Sequence, residues 1–478
     1  MMRRGADWRM IVKKLITCLA AGVFLAVAFL GSELEGQGVN VGGNNNFGTT
    51  VQLPVVGVSI DADGVMTARE FRDEDGQMAA NIANAKRDLN GQVQKQSALR
   101  KVSLRRLEAA VKAKLANGDQ ITDEMKVLAG LQKIQYIFVL PAEKDVVIAG
   151  PAEGWVDDMA GRKIGINSGL PTLLLEDFVV AMRTFSPQAN LQTWVAVSID
   201  PTIAGIENLR DFQRQIPARI PQNARERVRA QVAEGLRDSL GLAEIAIYGV
   251  PRTSHLAKVM VEADYRMKLM AVGLEAKPIE MTTFIEALQG APRDMQRWWL
   301  TPDYECIKTA ADGLSVEMIG RTVELKTENI DYDRNANIVQ TKTRPNKAAT
   351  KYARSFTDNY ERLSQVRPVY AQLRNVVDVL VAAAWIKKND ALAKSGWAPS
   401  VFFDNNQLDV ENEVDAKTAP CVANAVWKGN LMIAPSGGGV SINASRALEE
   451  ENLLVDKKGE VQNARDQLVV PAGPWWWD

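Results

Sequence analysis

An uncharged apolar run near the amino terminus limits the cellular compartments in which this chain is expected to fold. The run extends from Leu15 to Gly31 and follows fourteen residues that carry five basic side chains and one acidic side chain. A polar segment begins directly after it, at Ser32. A basic start, an apolar middle and a polar end are typical of an export signal. We therefore predict an export signal over residues 1–38, with cleavage before Val39.

A retained membrane anchor is the alternative for the same segment. The apolar run is near the lower length limit for spanning a bilayer. Cleavage would leave Gly36 and Gly38 at the −3 and −1 positions, where small residues are needed and alanine suits better than glycine. Either way, we expect the chain to be periplasmic or extracellular. Membrane contact is expected only through this first helix, if it is retained.

The rest of the chain predicts an α+β protein with two or three packed regions, because it is too long for one small core. Short β-prone runs and helical runs alternate along it. The predicted parts are a flexible leader over 39–52, an N-terminal hairpin and helical region over 53–150, a central α+β domain over 151–325, a linker or long loop over 326–350, and a C-terminal helix and β region over 351–478.

Local patterns predict particular elements within these regions. Hairpins are expected around the turn Asp61–Gly64 and around residues 141–145. The segment from Gly76 to Leu115 is polar and helical in pattern, and its part SALRKVSLRRLEAAVKAK is basic and amphipathic. This is typical of the solvated face of a packed helix, with membrane-surface or nucleic-acid contact as the alternative. The run from Val369 to Lys388 is apolar nearly all round and predicts a buried helix.

One predicted helix contains the chain's only histidine, His255. At 100° per residue, a single arc holds the apolar side chains Leu256, Val259, Met260, Ala263, Met267 and Met270. His255, Glu262 and Arg266 share one shoulder of this arc, whereas Asp264 lies about 180° from His255. A catalytic partner for His255 must therefore come from another element.

We interpret this stretch as a core helix with charged edges. Glu262–Arg266 and Asp264–Lys268 are spaced as favourable i, i+4 ion pairs. Thr253 or Ser254 is a suitable N-terminal cap, and the positive helix N-terminus disfavours protonation of His255. His255, Glu262 and Arg266 are the functional candidates that the sequence offers.

Cysteine and histidine usage argues against several common activities. Cleavage of the signal would leave Cys306 and Cys421, which either form a disulfide, as export permits, or stay as two buried thiols. With one histidine and no CxxC motif, we expect no metal site of the usual zinc type. The glycine-bearing segments GINSGLP and APSGGGVSI read as loops, and neither fits a phosphate-binding or serine-hydrolase motif. We therefore predict no cofactor.

The net charge and the last three tryptophans indicate which classes of binding partner to expect. The net charge of −1 gives no reason to expect nucleic acid as a partner. Trp475, Trp476 and Trp477 either offer an aromatic platform to a glycan or partner, or belong to a segment docked into the core.

Seven phrases of the sequence together resemble a family of exported bacterial proteins. They occur in order between about residues 50 and 445 and read LRKVSLRRLEAAV, IQYIFVLPAEKDVVIAGPAEGW, PTLLLEDFVVAMRTF, VSIDPT, VMVEADYRMKLMAVGLE, RWWLTPDYECI and RPVYAQLRNVVDVLVAAAWI. The chain is similar to a large family from planctomycete bacteria that is classed as a domain of unknown function. The resemblance implies a signal-bearing protein, and it carries no activity and no catalytic residues.

These observations favour a non-enzymatic exported protein that binds an envelope or surface component, or that has a structural role there. Its partner would be an unidentified envelope protein or polymer. One alternative is an extracytoplasmic hydrolase that uses two carboxylates. That alternative predicts a concave pocket with two facing carboxylates, one of them desolvated. A membrane-tethered assembly factor is the other alternative, and it depends on retention of the first helix.

Overall fold

Two mixed sheets and the helices that pack on them confirm the α+β fold class. The predicted export signal, residues 1–38, and the leader, residues 39–52, lie outside the described part of the chain. The computed structural model describes residues 55–217, 219–289, 295–319, 323–332, 338–340, 346–469, 471 and 475–478.

Short strands occur along most of the described chain. In chain order they are β1 (Val55–Ile60), β2 (Met66–Phe71), β3 (Ser97–Ser103), β4 (Tyr136–Leu140), β5 (Asp145–Ala152), β6 (Trp155–Asp157), β7 (Lys163–Gly165), β8 (Val195–Pro201), β9 (Leu242–Tyr248), β10 (Met295–Pro302), β11 (Ile307–Thr309), β12 (Ser315–Met318), β13 (Val323–Tyr332), β14 (Ile338–Gln340), β15 (Thr418–Pro420), β16 (Ala423–Lys428), β17 (Asn430–Ile442) and β18 (Leu453–Val455).

The α-helices alternate with these strands. In chain order they are α1 (Gln77–Asp88), α2 (Gly91–Gln94), α3 (Leu104–Ala116), α4 (Asp123–Lys126), α5 (Leu175–Thr184), α6 (Ile203–Gln213), α7 (Arg225–Leu240), α8 (His255–Ala271), α9 (Phe284–Ala287), α10 (Lys347–Asp358), α11 (Tyr360–Val366), α12 (Pro368–Lys388), α13 (Ala391–Ser395) and α14 (Glu460–Asp466).

The strands pair into two large sheets and two small hairpins. The larger sheet has the order β14-β13-β10-β17-β8-β9-β15, with β16 paired to β17, and the other has the order β18-β11-β12-β4-β5-β3. Both predicted hairpins, β1–β2 and β4–β5, are present with antiparallel register. Each large sheet takes strands from more than one of the regions that the sequence defines, so these regions share their sheets.

Two helices occupy the interior. α8 packs on β8 and β17 of the larger sheet, and α12 packs on α8 and α5. Within the described residues α12 alone is long and apolar enough to cross a membrane, and 94% of its most apolar window is buried inside the protein. The prediction of a buried helix over this run is confirmed. Each fully buried aliphatic side chain of such a helix contributes about 1.5–3 kcal/mol.

Two local predictions are wrong. The helical pattern predicted from Gly76 to Leu115 is interrupted by β3, because this segment pairs with β5 at the sheet edge. The helix resumes at α3, whose N-cap Ser103 accepts a hydrogen bond from the backbone N–H of Arg106 at 3.1 Å. The polar segment predicted as a linker over 326–350 contains most of β13, all of β14 and the start of α10. Antiparallel pairing of β13 with β10 explains why this polar segment is extended.

The last tryptophans are docked against the smaller sheet. Trp477 forms an antiparallel bridge with Val102 of β3. The backbone carbonyl of Trp476 accepts a hydrogen bond from the backbone N–H of Ser103 at 2.8 Å. Trp475 is buried, with the guanidinium of Arg106 at 4.9 Å from its ring centre. The structure therefore favours the docked segment over the exposed aromatic platform.

Candidate functional site

A cavity of about 650 Å³ lies between the start of α5, the start of α8 and the irregular segment 407–413. This volume is within the range of about 300–1,000 Å³ that is typical of small-molecule sites. Two of the three functional candidates from the sequence, His255 and Glu262, line it, and Arg266 lies behind Glu262. Much of the wall is aliphatic, formed by Leu115, Ile121, Val127, Leu174, Leu175, Val259, Leu408 and Val410.

His255 is fixed on both sides of its ring. Ser254 caps α8 by accepting a hydrogen bond from the backbone N–H of Ala257 at 3.2 Å, which makes His255 the first residue of the helix. Its Nδ1 lies 2.9 Å from Oδ2 of Asp177, and the side-chain amide of Gln372 lies 3.3 Å from its Nε2. The carboxylate partner thus comes from α5, whereas Asp264 on α8 faces the other way.

Nearby carboxylates raise the pKa of His255, against the expectation from its position at the helix N-terminus. Burial lowers the pKa of His255, but the charges of Asp177, Glu176 and Glu413 and the hydrogen bond to Asp177 raise it to about 9. A helix terminus carries only about half an elementary charge. The full charges of the nearby carboxylates outweigh it.

Glu176 precedes Asp177 on the first turn of α5 and lines the cavity. Burial raises the pKa of Glu176 to about 7, with the charge of His255 acting in the opposite direction and that of Asp177 adding to the rise. Its carboxyl group forms no hydrogen bond with any other residue that the structure describes. Leaving a desolvated carboxylate without a partner is costly. A ligand that supplied a partner here would therefore gain affinity.

The segment 407–413 is held over the cavity from two directions. Lys258 on α8 lies 2.7 Å from the carboxylate of Glu413. The backbone N–H of Glu413 donates to the carbonyl of Thr253 at 2.9 Å. The guanidinium of Arg183 donates to the carbonyl of Leu408 at 2.8 Å. These contacts make the segment a fixed wall of the cavity.

Glu262 and Arg266 connect α8 to the hairpin β1–β2. Oε1 of Glu262 accepts hydrogen bonds from Arg162 at 2.8 Å and from Arg266 at 3.0 Å. The same guanidinium groups donate to the backbone carbonyls of Val56 and Gly57 on β1. We assign both candidates a structural role, because each of their charges is matched within this network.

The four charged residues of the i, i+4 pairs on α8 do not lie at solvent edges, which corrects that part of the interpretation. Asp264 and Lys268 are as buried as Glu262 and Arg266. Nζ of Lys268 donates to Asp264 at 2.6 Å and to the carbonyls of Ile199 at 2.8 Å and Gly438 at 3.0 Å. The hairpin covers one side of the helix and the larger sheet covers the other, so both charged flanks become buried ion pairs. The predicted i, i+4 spacing of these pairs is confirmed.

The segment APSGGGVSI is part of β17 and is not the loop that the sequence suggests. A Cβ atom on Gly439 would collide with the backbone carbonyl of Val197 on β8, and a Cβ on Gly438 would collide with the backbone of Trp298 on β10. Gly438 also has a positive φ of 116°, which favours glycine. The glycines therefore permit close strand pairing and leave the carbonyl of Gly438 available to Lys268.

The segment GINSGLP folds around a buried carboxylate. Glu153 accepts hydrogen bonds from the backbone N–H groups of Asn167 at 3.0 Å and Ser168 at 2.9 Å, and from the side chain of Gln132 at 2.8 Å. Burial raises the pKa of Glu153, but hydrogen bonds from the side chains and backbone N–H groups of Ser168 and Asn167 lower it below its usual value. This carboxylate acts as an anchor for the loop.

Cys306 and Cys421 are both buried free thiols, so the disulfide is not formed. Cys306 directly precedes β11 of the smaller sheet, whereas Cys421 follows β15 of the larger sheet and contacts the carbonyl of Leu240 at 3.8 Å. Burial raises the pKa of each thiol to about 12, which makes both poor nucleophiles. Among the described residues, no group of three or more His, Cys, Asp or Glu side chains could hold a metal ion.

Sequence reasoning missed the acidic side of the cavity. Glu176, Asp177 and Glu413 were not candidates, although they surround His255 in the structure. The adjacent pair Glu176–Asp177 stands between apolar residues in LLLEDFVVAM, and such a pair in an apolar run was the available signal. Glu413 gave no signal, because its segment has no regular pattern.

Comparison with known proteins gives one match. Residues 197–284 match the model of a family described as "Protein of unknown function (DUF1598)". The matched segment includes all of α8, and thus one wall of the cavity. It supports the similarity to an uncharacterised family that the sequence phrases indicate. No curated protein and no solved structure matches the chain.

Proposed function

We propose that this protein is a non-enzymatic binding protein whose cavity between α5, α8 and segment 407–413 holds a small ligand. The observation that carries the proposal is the carboxyl group of Glu176, which is desolvated at a cavity of about 650 Å³ and has no hydrogen bond within the described chain. The cations around it, His255, Lys258 and Arg162, are each paired with an acid. The carboxyl group of Glu176 is therefore left as an acceptor for a ligand.

Rigidity of the wall supports binding as the function. The ring of His255 is held by Asp177 and Gln372, and segment 407–413 is held by Lys258 and Arg183. A preformed site avoids the entropic cost of ordering side chains when the ligand enters. The proposal needs no mobile catalytic group.

Recovery of the bound ligand tests this proposal. We would purify the protein from its natural source, denature it, and identify released small molecules by mass spectrometry. The Glu176→Gln variant should release less of the same molecule, whereas Glu234→Gln, at an exposed glutamate on α7, should release an unchanged amount. Equal release from both variants, or no release from the wild-type protein, contradicts the proposal.

A hydrolase that uses paired carboxylates is the second candidate, and a specific observation favours it. Glu176 has a pKa of about 7, as a general acid requires, and the carboxylates of Asp409 and Glu413 line the same cavity. A panel of chromogenic glycosides and esters would detect turnover. Turnover by the wild-type protein and its loss in a folded Glu176→Gln variant would replace the binding proposal with this one.

We also propose that the protein is exported, either into the periplasm or to the cell exterior. The support is the basic and then apolar sequence of residues 1–38. Intact mass after cell fractionation tests it. A mass that begins at Val39 in the soluble extracytoplasmic fraction supports cleavage, and a full-length mass in the membrane fraction supports a tethered assembly factor. A full-length mass in the cytoplasm contradicts export.

A further inference from the structure

We propose that the cavity binds a primary ammonium group carried on an aliphatic body, with the ammonium group at the carboxyl of Glu176. The inference rests on the proposed ligand-binding function and adds the chemical class of the ligand. Three features of the cavity carry it: its charge balance, its aliphatic wall and the absence of Phe, Trp and Tyr from the described lining.

The charge balance of the cavity favours a cation. Charged groups at or directly behind its wall are Glu176 and Asp177 on α5, His255, Lys258 and Glu262 on α8, Asp409 and Glu413 on segment 407–413, and Lys126, Arg162 and Lys163 on the remaining wall.

Each cation in this set has an acidic partner. His255 faces Asp177, and Lys258 faces Glu413. Arg162 contacts Asp158 and Glu262. Lys126 and Lys163 pair with Asp123 and Asp157 outside the lining.

The acids left over are Glu176 and Asp409. Oδ1 of Asp409 accepts a backbone hydrogen bond from Glu411 at 3.0 Å, and its side chain is exposed. Glu176 is the less exposed of the two. An anionic ligand would add a negative charge beside an unmatched carboxylate, whereas a cationic ligand would neutralise it. The attraction is strengthened because the site is partly desolvated.

The wall chemistry selects the kind of cation. The described lining contains no Phe, Trp or Tyr, so it offers no aromatic cage of the type that recognises quaternary ammonium groups. A primary ammonium group has three N–H donors and can satisfy a carboxylate directly. The aliphatic side chains, such as Leu175 and Val259, would contact the apolar body.

The pH dependence of ligand binding provides a second test of the inference. Glu176 has a pKa of about 7, so a cation that binds its ionised form displaces a proton below that pH. Its ionised fraction rises about tenfold from pH 6 to pH 8. His255, with a pKa of about 9, stays protonated over this interval. An alkylammonium ion also stays charged, since its pKa is close to that of lysine, about 10.4.

The test compares four probes of one chain length by isothermal titration calorimetry: hexylammonium, hexanol, hexanoate and hexyltrimethylammonium. Hexylammonium should bind at least about tenfold more tightly than the other three at pH 8, and about tenfold more tightly at pH 8 than at pH 6. Titration at pH 6 in two buffers of different ionisation enthalpy should show release of close to one proton per bound ion. Glu176→Gln should weaken binding at least about tenfold at pH 8, and Glu234→Gln should leave it unchanged.

The outcomes separate this inference from the function on which it rests. If hexanol or hexanoate binds as tightly as hexylammonium, the ammonium assignment is wrong and ligand binding at the cavity stands. If hexyltrimethylammonium binds equally well, the preference for a primary amine is wrong. If no probe binds, the inference is overturned, and recovery of ligand from the native protein then decides the function separately. The pH dependence of the wild-type protein keeps the test valid if the variant does not fold.

Discussion

Replacing Glu176 with glutamine should stabilise the protein at pH 8 and change its stability little at pH 5. The pKa of Glu176 is raised from 4.5 to about 7, chiefly by burial. The folded protein therefore holds this proton more tightly than the unfolded chain does. Stability is lost as the pH rises from about 4.5 to 7, because folding must then bury the charged form. A neutral glutamine avoids this loss.

The size of the effect follows from the pKa shift. Each pKa unit corresponds to about 1.4 kcal/mol, so the full shift corresponds to ~3 kcal/mol. Part of this stability is already lost at pH 5, and solvent screens the charge at the cavity. We therefore expect the difference between the two pH values to be ~2 kcal/mol.

Urea unfolding of the wild-type protein, Glu176→Gln and Glu234→Gln at pH 5 and pH 8 measures this difference. The free energy of unfolding of Glu176→Gln relative to wild type should rise between the two pH values, and that of the surface variant should not. A Glu176→Gln variant that is less stable than wild type at pH 8, or equally displaced at both pH values, would refute the reasoning. In either case Glu176 would be acting as a bonded core residue and not as an unpaired carboxyl group.

Three further changes have defined outcomes. His255→Gln should destabilise the protein more at pH 6 than at pH 10 in urea unfolding, because the raised pKa of about 9 stabilises the fold at low pH and this contribution is lost as the pH rises through 9. Glu108→Ala should lower the free energy of unfolding by ~3 kcal/mol, since the carboxylate accepts three backbone N–H bonds from residues 400–402. Gly439→Val should prevent folding, seen as loss of soluble protein and of the near-ultraviolet circular dichroism signal, because its Cβ would collide with Val197.

For each of the three variants, one outcome would contradict the expectation. The ion pair with Asp177 would have no role if His255→Gln lost the same stability at both pH values. A Glu108→Ala variant with a wild-type urea midpoint would mean that water replaces the carboxylate. A folded Gly439→Val variant would mean that β17 can move away from β8.

Sequence patterns predicted the elements whose own residues decide their structure. The turn at Asp61–Gly64 contains the residues that hairpins need, and the run from Val369 is apolar nearly all round, as is typical of a buried helix. The linker prediction over 326–350 was wrong because pairing with β10 is not encoded in the local composition of β13. Register between distant strands depends on the whole sheet.

The α8 stretch shows where local reasoning ends. Its helical character and its i, i+4 pairs were predicted from spacing, and Ser254 is one of the two caps that the sequence offered. Burial of those pairs was not predicted, because a helical wheel does not show which elements cover each side. The raised pKa of His255 was not predicted for the same reason: the charges that raise it come from α5 and from segment 407–413.

The position of α8 connects the structural network to the proposed site. Glu262 both lines the cavity and accepts the hydrogen bonds of Arg162 and Arg266. These two guanidinium groups hold the carbonyls of Val56 and Gly57, and Gly57 itself lines the cavity. The hairpin β1–β2 is thus fixed as part of the cavity wall by buried ion pairs. Because a buried pair gives little net stability over an apolar substitute, we infer that this network contributes mainly to the geometry of the cavity.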